Sequence, residues 1–392
     1  MKELNRSVIG TTTGPQTFEY TWRDCAIYAL GVGAGPDEME YLDEDGLKVI
    51  PSFGVVPYWG TFGINPPRAI PTPINCTMGL DRQGSLHMAH KLVLHKPIDP
   101  MGGKLTFEDS VVELYDRGPG KGCVMRTDLS AYDEKGEKVF SNIGDTLFAV
   151  YQAPDSPPFP KSSTVIPERT PDYVCPDYIA PNQNLLYRMS GDTNRLHVDQ
   201  KEAHKQGFDR PIMQGLCSFG YACRLAVREL IPHAPERMTS MEAQFRSPLF
   251  PDTKVELHIW KVQDGLAYFR MLAPEKKQIV LEKAVLCGNS LHKQRRRLTL
   301  HSVQKGRSTH LCLGLLPLDL SEGIAEMHHS PHSPAHSIVS TYTGLIYVFS
   351  GSKVRSDIAG GPLCQWKIKE RRGLLGPRRS LIFRRLFRAQ AG

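Results

Sequence analysis

Apolar residues recur at helical spacing in one long stretch, Leu216, Phe219, Cys223, Ala226 and Leu230, which ends at Ile231-Pro232. That spacing places them on one face of a helix, and the proline stops it. Strand-like runs follow at Met241–Arg246, Val255–Val262, Leu266–Leu272 and Ile279–Leu286, separated by the turn pairs Pro251-Asp252, Asp264-Gly265 and Pro274-Glu275. The first part of the chain reads the same way. Trp22–Leu30 predicts a helix closed by Gly31, and strand-like runs come at Ser85–Leu94, Lys104–Leu114, Gly122–Tyr132 and Lys138–Val150. One helix followed by a run of antiparallel strands, twice over, predicts an α+β fold of two units in which each sheet wraps a helix. Between them, residues 154–181 hold eight prolines among Ser and Thr. Proline lacks the N–H that a helix interior or a central strand needs, so this stretch reads as a linker. The expected organisation is a first half over 1–153, the linker over 154–181, a second half over 182–290 and a tail over 291–392.

Composition alters this picture only at the tail. The 392 residues carry a formal net charge of +7, with 40% hydrophobic and 23% charged residues, an ordinary globular balance. Residues 291–392 hold 17 Lys/Arg against 5 Asp/Glu, leaving 31 against 36 for the rest. The body is therefore acidic, and no nucleic-acid partner is expected for it. The tail carries Arg295-Arg296-Arg297, a His/Ser/Pro cluster from His328 to His336 and the pairs Arg371-Arg372, Arg378-Arg379 and Arg384-Arg385. It lacks sustained periodicity and is expected to be disordered. Its arginines interleave with Leu381, Ile382, Phe383, Leu386 and Phe387, a mixture suited to an acidic surface, RNA or lipid headgroups, or to no selected role at all. No apolar run is long enough for a membrane span, and the first thirty residues hold Glu3, Glu19 and Asp24 with no apolar segment of a secretory signal. Nine cysteines without a C-x-x-C pair argue for a reducing compartment and against disulfides or a zinc ribbon.

Candidate chemistry is concentrated between Leu185 and Gly220. Asp192, Asn194, His197 and Asp199 fall within eight residues, ahead of the long helix, with Gly207 and Gly215 bracketing Pro211. A carboxylate and an imidazole five residues apart on a turn can both reach one water molecule, as acid/base addition to a double bond requires. The same residues also fit an Asx turn and a helix cap beside a structural histidine. Two other patterns carry less. Gly31-Val32-Gly33-Ala34-Gly35 follows a helix rather than a strand and lacks the dinucleotide spacing. His328, His329, His332 and His336 sit among Ser and Pro with no carboxylate nearby, so no metal is expected.

The segment resembles the signature of the MaoC-like, (R)-specific enoyl-CoA hydratase family of the hydratase-2 type. That pattern, Y-R-x-S-G-D-x-N-x-L-H-x-D, then A-x-x-x-G-F-x-x-P-I, then H-G-L-C-x-F-G, is matched by Tyr187 through Asp199, by Ala203 through Ile212, and by Gln214 through Gly220. Tyr28 through Ala34, Leu47 through Gly54, and Leu86-His87 with His95-Lys96-Pro97 resemble the non-catalytic half of the two-unit type. The likeness runs from about residue 18 to residue 287.

The resemblance implies a double hot-dog fold with an acyl tunnel supplied by the first half, and reversible hydration of a trans-2-enoyl-CoA to an (R)-3-hydroxyacyl-CoA. It implies Asp192 and His197 as the acid/base pair, Asn194 as a residue orienting the water, and the backbone N–H of Gly215 as donor to the thioester carbonyl. Glycine there would allow close approach and an unusual backbone angle. Glu44 matches a glutamate near the acyl pocket, and Gln214, Phe208, Pro211 and Leu216 are the further substrate-binding positions. No metal or redox cofactor is implied, and the substrate is the CoA thioester. The assembly would be a homodimer or a monomeric double hot-dog, located in the cytoplasm of a bacterium or the peroxisome of a eukaryote, although no Ser-Lys-Leu ending is seen. Two departures stand out: the family's His-Gly-Leu is Gln214-Gly215-Leu216, and its Leu-His-Gly-Glu is Leu86-His87-Met88-Ala89. They leave open a dehydratase acting on a carrier-protein or polyketide-like thioester, and a catalytically impaired acyl-CoA-binding protein.

Every family-like motif lies in the acidic body, so deletion of residues 291–392 is expected to leave melting temperature and turnover nearly unchanged. Loss of soluble expression in that truncation would show that the tail packs against the body.

Overall fold

A computed structural model describes residues 1–59, 78–81 and 84–291, and beyond them the backbone of five strands. The chain divides into two compact units, Met1–Lys293 and Gln294–Gly392. The first unit is built on β1 (Lys2–Glu3), β2 (Gln16–Thr21), β3 (Leu86–Leu94), β4 (Gly102–Asp116), β5 (Cys123–Tyr132), β6 (Lys138–Phe148), β7 (Tyr151–Gln152), β8 (Tyr173–Ile179), β9 (Met238–Phe245), β10 (Thr253–Gln263), β11 (Leu266–Ala273) and β12 (Gln278–Gly288). Alternation drives the long strands: Ala267, Phe269, Met271 and Ala273 of β11 are buried, while the residues between them are only half-buried. Ten strands form one sheet in the order β2-β4-β5-β6-β3-β9-β12-β11-β10-β8. The eight runs predicted from alternation are β3 to β6 and β9 to β12.

The two outermost strands escape that reading. β8 lies inside the stretch 154–181 taken as linker, with Pro176 opposite Glu256 of β10. It is an edge strand, where a missing N–H leaves no ladder bond unmade. The linker proper is correspondingly shorter.

The order reads as one plan used twice, β2-β4-β5-β6-β3 and β8-β10-β11-β12-β9, joined where β3 pairs antiparallel with β9 (Ala89↔Gln244 to Val93↔Ser240). The helix correspondence differs from the expected one. Trp22–Gly31 follows β2 as the short helix Gln183–Tyr187 follows β8. The segment that precedes β3 as the long helix Gly215–Leu230 precedes β9 is instead Pro51–Val55 with Val56–Trp59, and Pro51–Val55 packs on β3 and β6. Its 3-10 turn carries no 3.6-residue periodicity, so alternation and spacing do not reveal it.

Helix Gly215–Leu230 is buried on nearly every side, from Leu216 to Val227 and at Leu230, and belongs to the main core with Phe18, Tyr28, Phe53 and Phe140 of the first half. Helix Trp22–Gly31, opened by a Thr21/Asp24 capping box, packs across Gln183–Tyr187, with the Tyr28 and Tyr187 ring centroids 6.0 Å apart. Gln183 Nε2 donates to the carbonyls of Leu30 (2.8 Å) and Gly31 (2.7 Å), closing that helix end. Arg224, 2% exposed, fastens the halves: Nε donates to Val32 O at 2.8 Å, and the guanidinium pairs with Glu38 and Asp177.

The second unit contains β13 (Thr299–Lys305) paired with β14 (Ser308–Gly314), and a three-stranded sheet of β15 (His336–Tyr342), β16 (Leu345–Val354) and β17 (Leu363–Ile368). His328, His329, His332 and the arginine pairs at 371–372, 378–379 and 384–385 lie outside the described residues. Among the described residues six cysteines are free, five of them buried. Burial pushes the Cys25 thiol up to about 12 and Cys123 up to about 11. No described helix is long and apolar enough to cross a membrane.

Arg224→Ala is expected to cost about 3–5 kcal/mol of stability, because it strands two buried or half-buried carboxylates. Chemical denaturation measures this; an unchanged midpoint would show that Glu38 and Asp177 find other partners.

Candidate functional site

The stretch from Gln183 to Leu216 turns back on itself around one buried histidine. Helix Gln183–Tyr187 runs into the 3-10 turn Arg188–Ser190, which Gly191 ends at φ 111°, a left-handed value that only glycine adopts without strain. The reversal delivers Asp192. The backbone N–H of Asn194 donates to Asp192 Oδ1 (3.1 Å), and that of Leu196 donates to Asn194 Oδ1 (3.1 Å), opening the turn Arg195–His197. Asp199 in turn caps helix Gln200–Lys205, accepting from the N–H of Lys201 at 2.8 Å, and pairs with Arg195. The Asx turn and the caps thus exist alongside the Asp192–His197 approach, not in place of it.

Asp192 and His197 are both buried, each 7% exposed, with Asp192 Oδ2 3.9 Å from His197 Nε2. That is too long for a direct hydrogen bond and short enough for one oxygen atom to touch both. His197 Nδ1 lies 2.9 Å from Ile212 O. A carbonyl only accepts, so Nδ1 carries the proton, and in the neutral ring Nε2 is the base directed toward Asp192. Around the Asp192 carboxyl, burial pushes the Tyr187 hydroxyl and the Cys217 thiol well above their ordinary values. Both groups stay neutral.

Gly215 is the first residue of helix Gly215–Leu230, whose opening N–H groups have no acceptor within the helix. Its φ lies outside the left-handed region, so the expected unusual backbone angle is absent. Close approach favours glycine instead: a Cβ there would meet the Phe245 ring at 3.3 and 3.4 Å, so the ring would have to give by a few tenths of an ångström. Phe245 in turn packs at a tilt against the His87 ring, the centroids 4.8 Å apart, which brings β3 of the first half to this helix end. His90, on the same strand, is pushed down to about 4 by burial and sits 5.5 Å from the Phe219 ring, a neutral group at working pH.

Of the other predicted positions, Gln214 is fully buried and its Nε2 donates to Asn184 O at 3.0 Å. Leu216 enters the main core, and Phe208 packs on the small cluster of Leu196, Ala203 and Ile212 that holds the loop around Pro211. Asn194 is exposed, with its Oδ1 committed to the cap. Glu44 does not join the group. It is exposed in the loop before Leu47 and Lys48, which line a cleft of about 310 Å³ with Leu94, Pro97 and Met238. Lys48 Nζ donates to His233 O just past Leu230, at the far end of a 16-residue helix that spans roughly 24 Å. Sequence reasoning missed Asn184, whose Nδ2 donates to His197 O at 2.6 Å, and the Ile212 carbonyl and Phe245. A backbone acceptor and long-range ring contacts leave no local pattern.

Residues 162–283 match the family described as MaoC like domain, and residues 18–150 match the MFE-2 hydratase 2 N-terminal domain. The chain is 31% identical to 3-hydroxyacyl-thioester dehydratase Y of Mycobacterium tuberculosis over 68% of its own length and 91% of that protein's. It is 30% identical to enoyl-CoA hydratase ChsH3 of the same organism, over 64% of this chain and 87% of that one. The crystal structure of a MaoC-like dehydratase from Phytophthora capsici superposes with a TM-score of 0.64 at 26% identity, covering 72% of this chain and 96% of that one. With both halves matched in order and two five-strand units joined in one sheet as a double hot-dog, the chain belongs to the hydratase-2 branch of the MaoC-like dehydratases.

Proposed function

We propose that the protein catalyses reversible hydration of a trans-2-enoyl-CoA thioester to the (R)-3-hydroxyacyl thioester, a hydro-lyase reaction. The observation that carries this reading is the buried Asp192–His197 approach of 3.9 Å, with Nδ1 of the histidine tied to Ile212 O beside the start of helix Gly215–Leu230. A water held by Asp192 and His197 attacks the third carbon of the acyl chain, and His197 Nε2 takes its proton. The electron pair of the double bond moves toward the carbonyl, whose growing negative charge is met by the Gly215 N–H and the positive end of the helix. Asp192, which enters this step as the carboxylic acid, delivers its proton to the second carbon. The pair then holds its single proton on the imidazole rather than the carboxyl, and transfer across the gap resets it.

Water addition leaves the overall oxidation level unchanged, so no redox cofactor is called for, and the N–H donor supplies the electrophile. The departure at Gln214 does not argue for a binding-only protein. Its side chain is engaged with Asn184 O and serves no proton transfer in this scheme. Asn194 contributes by holding the turn.

Asp192→Asn and His197→Gln should each lower turnover of crotonyl-CoA by at least about a hundredfold, and the double variant should be little worse, because the two act on one water. Multiplicative losses would mean independent roles. Gly215→Ala pushes the Phe245 ring and displaces the N–H, so a fall in kcat of roughly tenfold or more is expected with an unchanged circular dichroism spectrum. Unaltered kcat would show that the Phe245 ring yields to the methyl group without displacing the N–H.

A further inference from the structure

Two residues outside the acid/base pair connect it to the oxyanion donor, and both use a side-chain amide to do so. Asn184, 5% exposed on helix Gln183–Tyr187, donates from Nδ2 to the backbone carbonyl of His197 at 2.6 Å. Its own carbonyl accepts from Gln214 Nε2 at 3.0 Å, and Gln214 immediately precedes Gly215. Both acceptors are backbone carbonyls, which cannot donate, so the amide orientations follow from the partners. The opposite oxygens, Asn184 Oδ1 and Gln214 Oε1, are buried and find no partner among the described residues. Side chains kept only to fill space would be apolar there.

The imidazole of His197 is meanwhile tied to Ile212 O, two residues before Gln214. The histidine turn is thus held from both sides by groups that converge on the start of helix Gly215–Leu230. We propose that Asn184 is a positioning residue which, strapped to Gln214, sets the spacing between the His197 imidazole and the Gly215 N–H. The assignment of those two end groups rests on the proposed hydratase reaction; the strap itself rests on hydrogen bonds. In hydration the attacked carbon and the carbonyl oxygen belong to one rigid conjugated unit, so an error in that spacing cannot be absorbed by the substrate. The strap acts on turnover more than on affinity, which the CoA portion and the acyl chain supply.

The test uses the full-length chain as wild type, Asn184→Ala, Asn184→Asp, Gln214→Leu and the Asn184→Ala/Gln214→Leu double variant. Two readings are taken: steady-state hydration of crotonyl-CoA, and nitrogen-15 NMR of the His197 ring with exchange of its Nδ1 proton. Each single variant is expected to lower kcat roughly ten- to a hundredfold with KM within about threefold. The double variant should lie within about threefold of the worse single one, since both break one strap. Exchange of the His197 Nδ1 proton should quicken in Asn184→Ala. If Asn184→Asp does not fold, Asn184→Ala and Gln214→Leu decide alone. A kcat within twofold of wild type, losses that multiply, or an unchanged Nδ1 exchange rate would overturn the proposal. If the wild type hydrates no enoyl thioester, the functional reading fails, and the NMR comparison still decides the strap.

Discussion

A helix buried on nearly every side must be covered on nearly every side, and that requirement organises the whole first unit. Gly215–Leu230 carries buried residues around its full circumference, whereas one sheet can cover only one face of a helix. The second half's own strands supply that face, and the first half supplies the remainder through Tyr28, Val32 and the Pro51–Val55 segment. Arg224 belongs to the same constraint. A charge inside the helix is tolerable only because Val32 O, Glu38 and Asp177 surround it. Burial from Leu216 onward leaves only the half-buried Gly215 open at the helix start, where a backbone N–H is an effective partner for developing negative charge.

The same constraint accounts for the unequal halves. Where the second half runs Ser190-Gly191-Asp192 into the histidine turn, the first half runs Gly31-Val32-Gly33, which has no ionisable group. Gly31 O receives Gln183 Nε2 and Cys217 Sγ, and Val32 O receives Arg224. The first-half segment is given over to hydrogen bonds that cover the helix, and the second-half segment carries the ionisable groups. The first half still reaches the site, because His87 packs at a tilt on the Phe245 ring that lies against Gly215.

Much of this was legible in the residues. The eight long strands follow from alternation, since each has one face in the core and a register slip would expose it. Asp192 and His197 were legible because a single turn carries both. The short edge strands β2 and β8 were not, since an edge needs little alternation and tolerates Pro176. The counterpart of the long helix in the first half was mistaken because Pro51–Val55 is a 3-10 turn without periodic spacing. At Gly215 the unusual backbone angle expected from the residue type is absent, and the close contact that favours glycine is with the Phe245 ring, a long-range neighbour that no local pattern could reveal. Asn184 and Ile212 O stayed hidden because their parts in the site are hydrogen bonds across the fold.

The central claim is that Asp192, His197 and the Gly215 N–H together present one face of a planar enoyl thioester to water. The most direct measurement is the configuration at the third carbon of the product formed from crotonyl-CoA by the intact protein, read by chiral chromatography. The account predicts (R)-3-hydroxybutyryl-CoA alone; the (S) product or a racemic mixture would contradict it.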